Sequence, residues 1–200
     1  MSLASSPLVD RLFPAASAPA RSRELEAIED DVLALFDEYR NPILRYALSF
    51  GLSVHDAEEV AQETFFSLFQ HLRAGKSRSN LRGWLFRVAH NQALKHRHAN
   101  QISRDTHTSD RTLVEQQLDP SPDPETQLSF AQRQRRLRAA VRALPEADQF
   151  CLRLRAEGLR YREIARVVGI SLGAVSISLT QSLARLLRAD GDHGRDRAND

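Results

Sequence analysis

The sequence predicts an all-α fold of two small helical domains joined by a flexible linker, and three observations carry that prediction. Apolar residues recur at three- and four-residue spacings along each ordered stretch, while no stretch alternates with the period of a strand. The stretches are cut at Gly51, Pro145, Gly158 and Gly169, residue types that end helices. The charges are sorted into blocks: residues 31–70 hold 2 basic and 7 acidic groups, residues 71–104 hold 8 and none, residues 105–130 hold 1 and 6, and residues 131–190 hold 12 and 5. A formal net charge of +2 conceals that sorting. Two positive segments separated by an acidic one point to two surfaces for a polyanion, with a different partner for the acidic block before them.

Residues 1–30, rich in Ala, Ser and Pro, show no sustained period and are expected to form a disordered tail. From Asp31 the pattern turns helical, with Val32, Phe36, Tyr39, Ile43 and Ala47 on one face and a kink or break expected at Pro42. After Gly51, Ser53 with Asp56 three residues on reads as a capped start for a second helix. The apolar stripe of that helix is Ala57, Val60, Ala61, Thr64, Phe65, Leu68, Phe69 and Leu72. A polar loop, Ala74–Ser79, leads to Asn80 as N-cap of a third helix, and residues 31–98 make one domain.

Residues 99–123 end in a run of Asp and Pro and read as a linker long enough to let its flanking domains move separately. Asp123 and Pro124 supply an N-cap and a proline at the first helical position. A second domain of four helices is expected over 124–190, followed by a disordered tail over 191–200.

Within that second domain Ile164, Ala165, Val168, Gly169, Ile170, Val175 and Leu179 have the spacing of a helix-turn-helix. Ala165 is small where a second helix crosses, Gly169 suits the positive φ of the turn, Ser171 caps the second helix, and Val175 and Leu179 face inward. The expected groove face is Leu172, Gly173, Ser176, Ile177, Thr180 and Gln181, with no Lys or Arg for bidentate contacts to guanine. Cations stand instead at Arg153, Arg155, Arg160, Arg162 and Arg166, where they would mainly grip phosphates.

On the third helix Trp84, Arg87, Asn91, Lys95 and His98 share a face, and the loop before it adds Lys76, Arg78, Ser79 and Asn80. A ring that stacks on bases and cations that follow a backbone are what a single strand requires. On the second helix Glu59, Gln62, Glu63 and Phe66 lie opposite the apolar stripe, an acidic surface whose Phe suits docking onto a protein.

Other classes fit poorly. The single cysteine, Cys151, lies among Phe150, Leu152 and Leu154 and is expected in the core; it excludes a disulfide scaffold and fits a reducing cytoplasm. No apolar run approaches the roughly 20 residues that span a bilayer, and no secretory signal is expected. His90, His96 and His98 lack metal-ligand spacing, and no HExxH, GxSxG or P-loop sequence occurs, so no metal, cofactor or enzymatic activity is expected. A stand-alone helix-turn-helix regulator remains the alternative to a protein that docks on a larger machine.

The stretches DAEEVAQETFFSLFQHL, LRGWLFRVAHNQALKHR and ALPEADQFCLRLRAEGLRYREIARVVGISLGAVSISL, in this order, resemble the extracytoplasmic-function class of bacterial RNA polymerase sigma factors. The resemblance implies that the protein binds core RNA polymerase, through its β′ and β subunits, and promoter DNA, with an anti-sigma factor as probable regulator and a monomer as the free state. It implies core-polymerase contacts at Asp56, Glu59, Gln62, Glu63 and Phe66. Promoter melting and strand capture would fall to Lys76, Arg78, Ser79, Asn80, Trp84, Arg87, Asn91 and Lys95. Duplex reading would fall to Arg160, Arg162, Ser171, Leu172, Ser176, Ile177, Thr180 and Gln181. The chain departs from the family at Ser176 and Ser178, where Lys and Arg are frequent, and at Gln181, where Arg is. Duplex recognition is therefore expected to be weak, shape-based or aimed at an unusual element.

Overall fold

The computed structural model describes residues 18–106 and 124–191, which form seven helices and no strand. In chain order these are α1 (Ala18–Leu48), α2 (Val54–Arg73), α3 (Leu81–Thr106), α4 (Pro124–Arg142), α5 (Glu146–Ala156), α6 (Tyr161–Val168) and α7 (Leu172–Gly191). Helices α1–α3 pack on one another as a first bundle and α4–α7 as a second.

Two boundaries differ from the sequence expectation. The helical chain begins at Ala18, so the second half of the expected tail belongs to α1, and Ile28 is buried there. The helix also runs through Pro42 without a break. At its other end α3 continues to Thr106, so the first residues of the expected linker are helical. Residues 1–17, the rest of the linker (107–123, including Asp123) and the tail beyond 191 lie outside the described residues.

The other elements follow from local chemistry. Ser53 caps α2 by accepting from the Asp56 N–H at 3.1 Å, and the Asp56 carboxylate accepts from the Ser53 N–H at 3.3 Å. Asn80, at φ 54°, accepts from the Gly83 N–H at 3.3 Å at the start of α3. Gly169 takes φ 78° at the end of α6, a left-handed conformation that a β-carbon disfavours, and so turns the chain toward α7. Ser171 then accepts from the Ala174 N–H at 3.1 Å.

Ile43, Ala47, Val60, Leu68, Leu85 and Phe86 fill the first bundle, and Leu154, Leu159, Ile164, Val175 and Leu179 fill the second; all are buried. Each large aliphatic side chain among them contributes about 1.5–3 kcal/mol through removal from water. The two bundles do not have separate interiors. Helix α6 packs against α3, and Phe50, Phe150 and Cys151 join both sets into one apolar cluster.

Candidate nucleic-acid interface

The third helix is amphipathic. Leu85, Phe86, Ala89 and Ala93 are buried, which turns Arg87, Asn91, Lys95 and His98 outward. Trp84 is half-buried on the core and meets the His71 ring with centroids 4.6 Å apart, so its position is held from behind. In the loop before α3, Lys76, Arg78, Ser79 and Asn80 are exposed; Ser77 and Ser79 hydroxyls lie 2.8 Å apart, and Arg78 pairs with Asp31 of α1. A ring edge, four exposed polar or cationic side chains on one helix and a polar loop together have the chemistry that a phosphodiester strand requires.

The helix-turn-helix of α6 and α7 forms the second surface. Val175 and Leu179 are buried, leaving Ser171, Leu172, Gly173, Ser176, Ile177, Thr180 and Gln181 exposed, with Ile177 60% accessible. Arg160, Arg162 and Arg166 are exposed beside them on α6 and its cap. Glu163 stands among them, its carboxylate accepting from the Arg160 backbone N–H at 2.7 Å. A cleft of about 1140 Å³ runs between Arg82 of the first bundle and Arg160, Arg162 and Arg166 of the second.

Two sequence-derived placements are corrected, and Ser178, which the expected groove face did not include, is buried two positions round the helix from Ser176. Arg153 is not a phosphate-gripping cation: it is half-buried and donates to the Ser49 carbonyl at 2.7 Å and to Gln149 at 3.0 Å. Burial lowers its guanidinium from the ordinary value. Arg155 donates to the Leu159 carbonyl at 3.2 Å and lies over the Tyr161 ring.

The acidic face of α2 is also divided. Gln62 and Phe66 are exposed, Phe66 at 62%, whereas Asp56, Glu59 and Glu63 turn toward α3. Asp56 accepts from Asn100 at 2.9 Å, and Glu59 and Glu63 each approach His96 at 3.8 Å. Burial alone would raise the Asp56 carboxyl, but the hydrogen bonds from Ser53 and Asn100 prevail and hold it below its ordinary value. Asp56, Glu59 and His96 bring ligand-type atoms within 4.8 Å of one another, although one Asp56 oxygen already accepts both hydrogen bonds. Cys151 is buried in the core, where burial raises its thiol and keeps it protonated.

Against known families, Sigma-70 region 2 matches residues 35–101 and Sigma-70, region 4 matches residues 134–186, which are the two surfaces just described with the bundles that carry them. The chain belongs to the sigma-70 family, in its extracytoplasmic-function class. RNA polymerase sigma factor YlaC of Bacillus subtilis is 28% identical over 164 residues, covering 78% of this chain and 90% of that protein. ECF RNA polymerase sigma factor SigL of Mycobacterium tuberculosis is 28% identical over 156 residues, covering 76% and 85%. The fold is shared with CnrH, solved in complex with the cytosolic domain of CnrY, at a TM-score of 0.57 and 21% identity over 86% of this chain and 95% of that one. It is shared equally with RpoE of Bartonella quintana, solved with the anti-sigma factor NepR, at a TM-score of 0.57 and 16% identity over 80% and 96%. The sigma factor binds core RNA polymerase, directs it to promoters and helps open the DNA at initiation. Among its described residues no single helix is long and apolar enough to cross a membrane.

Proposed function

We propose that the sigma factor divides initiation among three surfaces. The exposed Gln62–Phe66 stripe of α2, backed by Asp56, Glu59 and Glu63, docks on the β′ subunit of the polymerase, with Phe66 as its apolar anchor. The loop Lys76–Asn80 and the α3 face of Trp84, Arg87, Asn91 and Lys95 hold a promoter strand once its bases leave the stack. The helix-turn-helix reads the upstream element as duplex, with Arg160 and Arg162 on phosphates and Leu172, Ser176, Ile177, Thr180 and Gln181 toward base edges. Residues 31–98 thus form the polymerase-binding and melting domain and residues 124–190 the duplex-reading domain.

The observation that carries this reading is the segregation of chemistry on adjacent helices: an exposed Phe among acids and amides on α2, and exposed cations beside a held Trp on α3. A stand-alone regulator has no use for the first surface. Catalysis belongs to the polymerase, and the sigma factor works as a cytoplasmic monomer until it meets core enzyme. An anti-sigma factor as regulator is supported by the complex in which RpoE was solved.

Run-off transcription from a library of host promoter fragments, with core polymerase and with or without the protein, tests the reading. Transcripts that depend on the added protein are expected. Duplex binding that needs no polymerase, with no new transcript, would return the protein to the regulator class.

A further inference from the structure

One side chain outside the strand-binding set touches both parts of that set, the ring on α3 and the loop before it. His71 stands in the last turn of α2. Its ring lies against the Trp84 indole, with centroids 4.6 Å apart and planes tilted by 43°. Its Nε2–H donates to the Ser77 carbonyl at 2.9 Å, and its own carbonyl accepts from the Lys76 N–H at 3.2 Å. Because a carbonyl can only accept, the bond to Ser77 places a proton on Nε2.

Both parts gain from such support. Residues 74–80 are neither helix nor strand and all are exposed, so apolar packing does not fix the loop. Within it the Ser79 N–H donates to the Ser77 hydroxyl at 3.2 Å, and the two hydroxyls lie 2.8 Å apart. Holding Ser77 therefore holds Ser79 as well. Arg78 also ties the loop to Asp31 of α1, but both side chains are roughly half-exposed, and a phosphate would compete for the same guanidinium. The His71 bond survives that exchange because it uses a backbone carbonyl. Trp84 is only half-buried. An indole that waits for a base gains when one of its faces is already blocked, because rotamers excluded beforehand need not be lost at capture.

We infer, on the strand-binding reading of α3, that His71 is a positioning residue for strand capture. It sets the Trp84 ring and the Lys76–Asn80 loop in fixed relation before a strand arrives, the ring by stacking and the loop by the bond to Ser77.

Three substitutions separate the two supports. H71F keeps a ring and loses the bond, H71Q keeps an N–H donor and loses the ring, and H71A loses both. Trp84 is the only tryptophan in the chain, so its emission reports on that ring alone. In the free full-length protein, acrylamide should quench Trp84 more strongly in H71A and H71Q than in wild type, and no more strongly in H71F. Melting temperatures are measured alongside. Holoenzyme assembled from core polymerase and each variant is then titrated into a fluorescein-labelled 20-nucleotide single-stranded DNA, with core enzyme alone as baseline. H71A should bind about tenfold more weakly than wild type, and H71F and H71Q about threefold, the scale set by ordering a side chain on binding. Adding H71Q to W84A should weaken binding no further, since the ring it supports is gone, whereas adding H71F should still weaken it. Wild-type strand binding in H71A would overturn the positioning role. So would a loss in all three variants that follows melting temperature while Trp84 quenching stays unchanged. If W84A itself binds the strand as wild type does, the strand-face reading fails instead.

Discussion

Helix α3 and helix α7 both present exposed polar faces over buried apolar ones, yet they distribute charge in opposite ways. On α3 the cations Arg87 and Lys95 stand on the proposed strand-binding face itself, beside Trp84. On α7 the exposed residues through its third turn are uncharged, and Arg160, Arg162 and Arg166 stand on α6 and its cap. A strand pulled from its duplex offers phosphates and base faces together, so one helix face can serve both. A duplex separates the two, with phosphates on the ridges and base edges in the groove, so affinity and choice fall to different helices. The two bundles that carry these faces also share the buried Phe50–Phe150 contact, and the largest expected effect acts beside it.

His90 is buried between the bundles with its Nδ1 2.8 Å from the Tyr46 hydroxyl and its ring edge-on to Phe150. Burial, reinforced by the Arg97 charge, moves it from its ordinary 6.5 down to about 4. Between those values the unfolded chain holds a proton that the folded chain does not. Stability is therefore full above about pH 6.5 and falls as pH drops toward 4, by roughly 3 kcal/mol in total. Asp56 contributes only lower down, since its carboxyl is held below the ordinary carboxylate value. Denaturant titrations at pH 7 and 4.5 should show the loss, and His90→Gln should remove most of it. An equal loss in the variant would show that His90 is not the group that titrates.

The docking face gives a smaller effect. Because Phe66 is largely exposed, Phe66→Ala should leave thermal stability unchanged while weakening core polymerase binding by about 2 kcal/mol, roughly thirtyfold. Equilibrium binding to purified core enzyme measures it. The same change should leave single-strand and duplex DNA binding alone, which keeps α2 apart from both DNA faces. Unaltered polymerase binding would move the docking surface elsewhere.

What was legible in the sequence divides along the range of the interactions. The Ser53–Asp56 cap, the α2 stripe, the Gly169 turn and the inward Val175 and Leu179 are set by neighbours within a turn or two, and periodicity finds them. Arg153 looked like a free cation because its acceptor, the Ser49 carbonyl, lies 104 residues away in sequence. Asp56, Glu59 and Glu63 read as a solvent-facing set for the same reason, since His96 and Asn100 reach them from another helix. The early start of α1 was hidden by composition: Ala, Ser and Pro suggest a tail, and only tertiary burial of Ile28 explains an ordered segment. The contact between the bundles left no periodic signal, because Phe150 fits the buried face of α5 and Phe50 the turn after α1 equally well without it.

The smallest effect bears most directly on the difference between the two faces. Arg162→Ala should weaken duplex binding alike for all sequences, by less than about 1 kcal/mol, and make the salt dependence shallower by about one unit on logarithmic axes. Ile177→Ala should leave that slope unchanged and relax preference at one base pair, by about 1 kcal/mol, if its side chain meets a thymine methyl. On α3 no such separation is expected. Arg87→Ala should lower both affinity and salt dependence for a single strand, by about 0.7 on the logarithmic slope, because the same face holds backbone and base. Fluorescence anisotropy at several salt concentrations, with the isolated duplex and the single strand as separate probes, compares all three variants. If Ile177→Ala shifts the duplex slope as Arg162→Ala does, α7 grips backbone rather than bases, and the two faces work by the same chemistry after all.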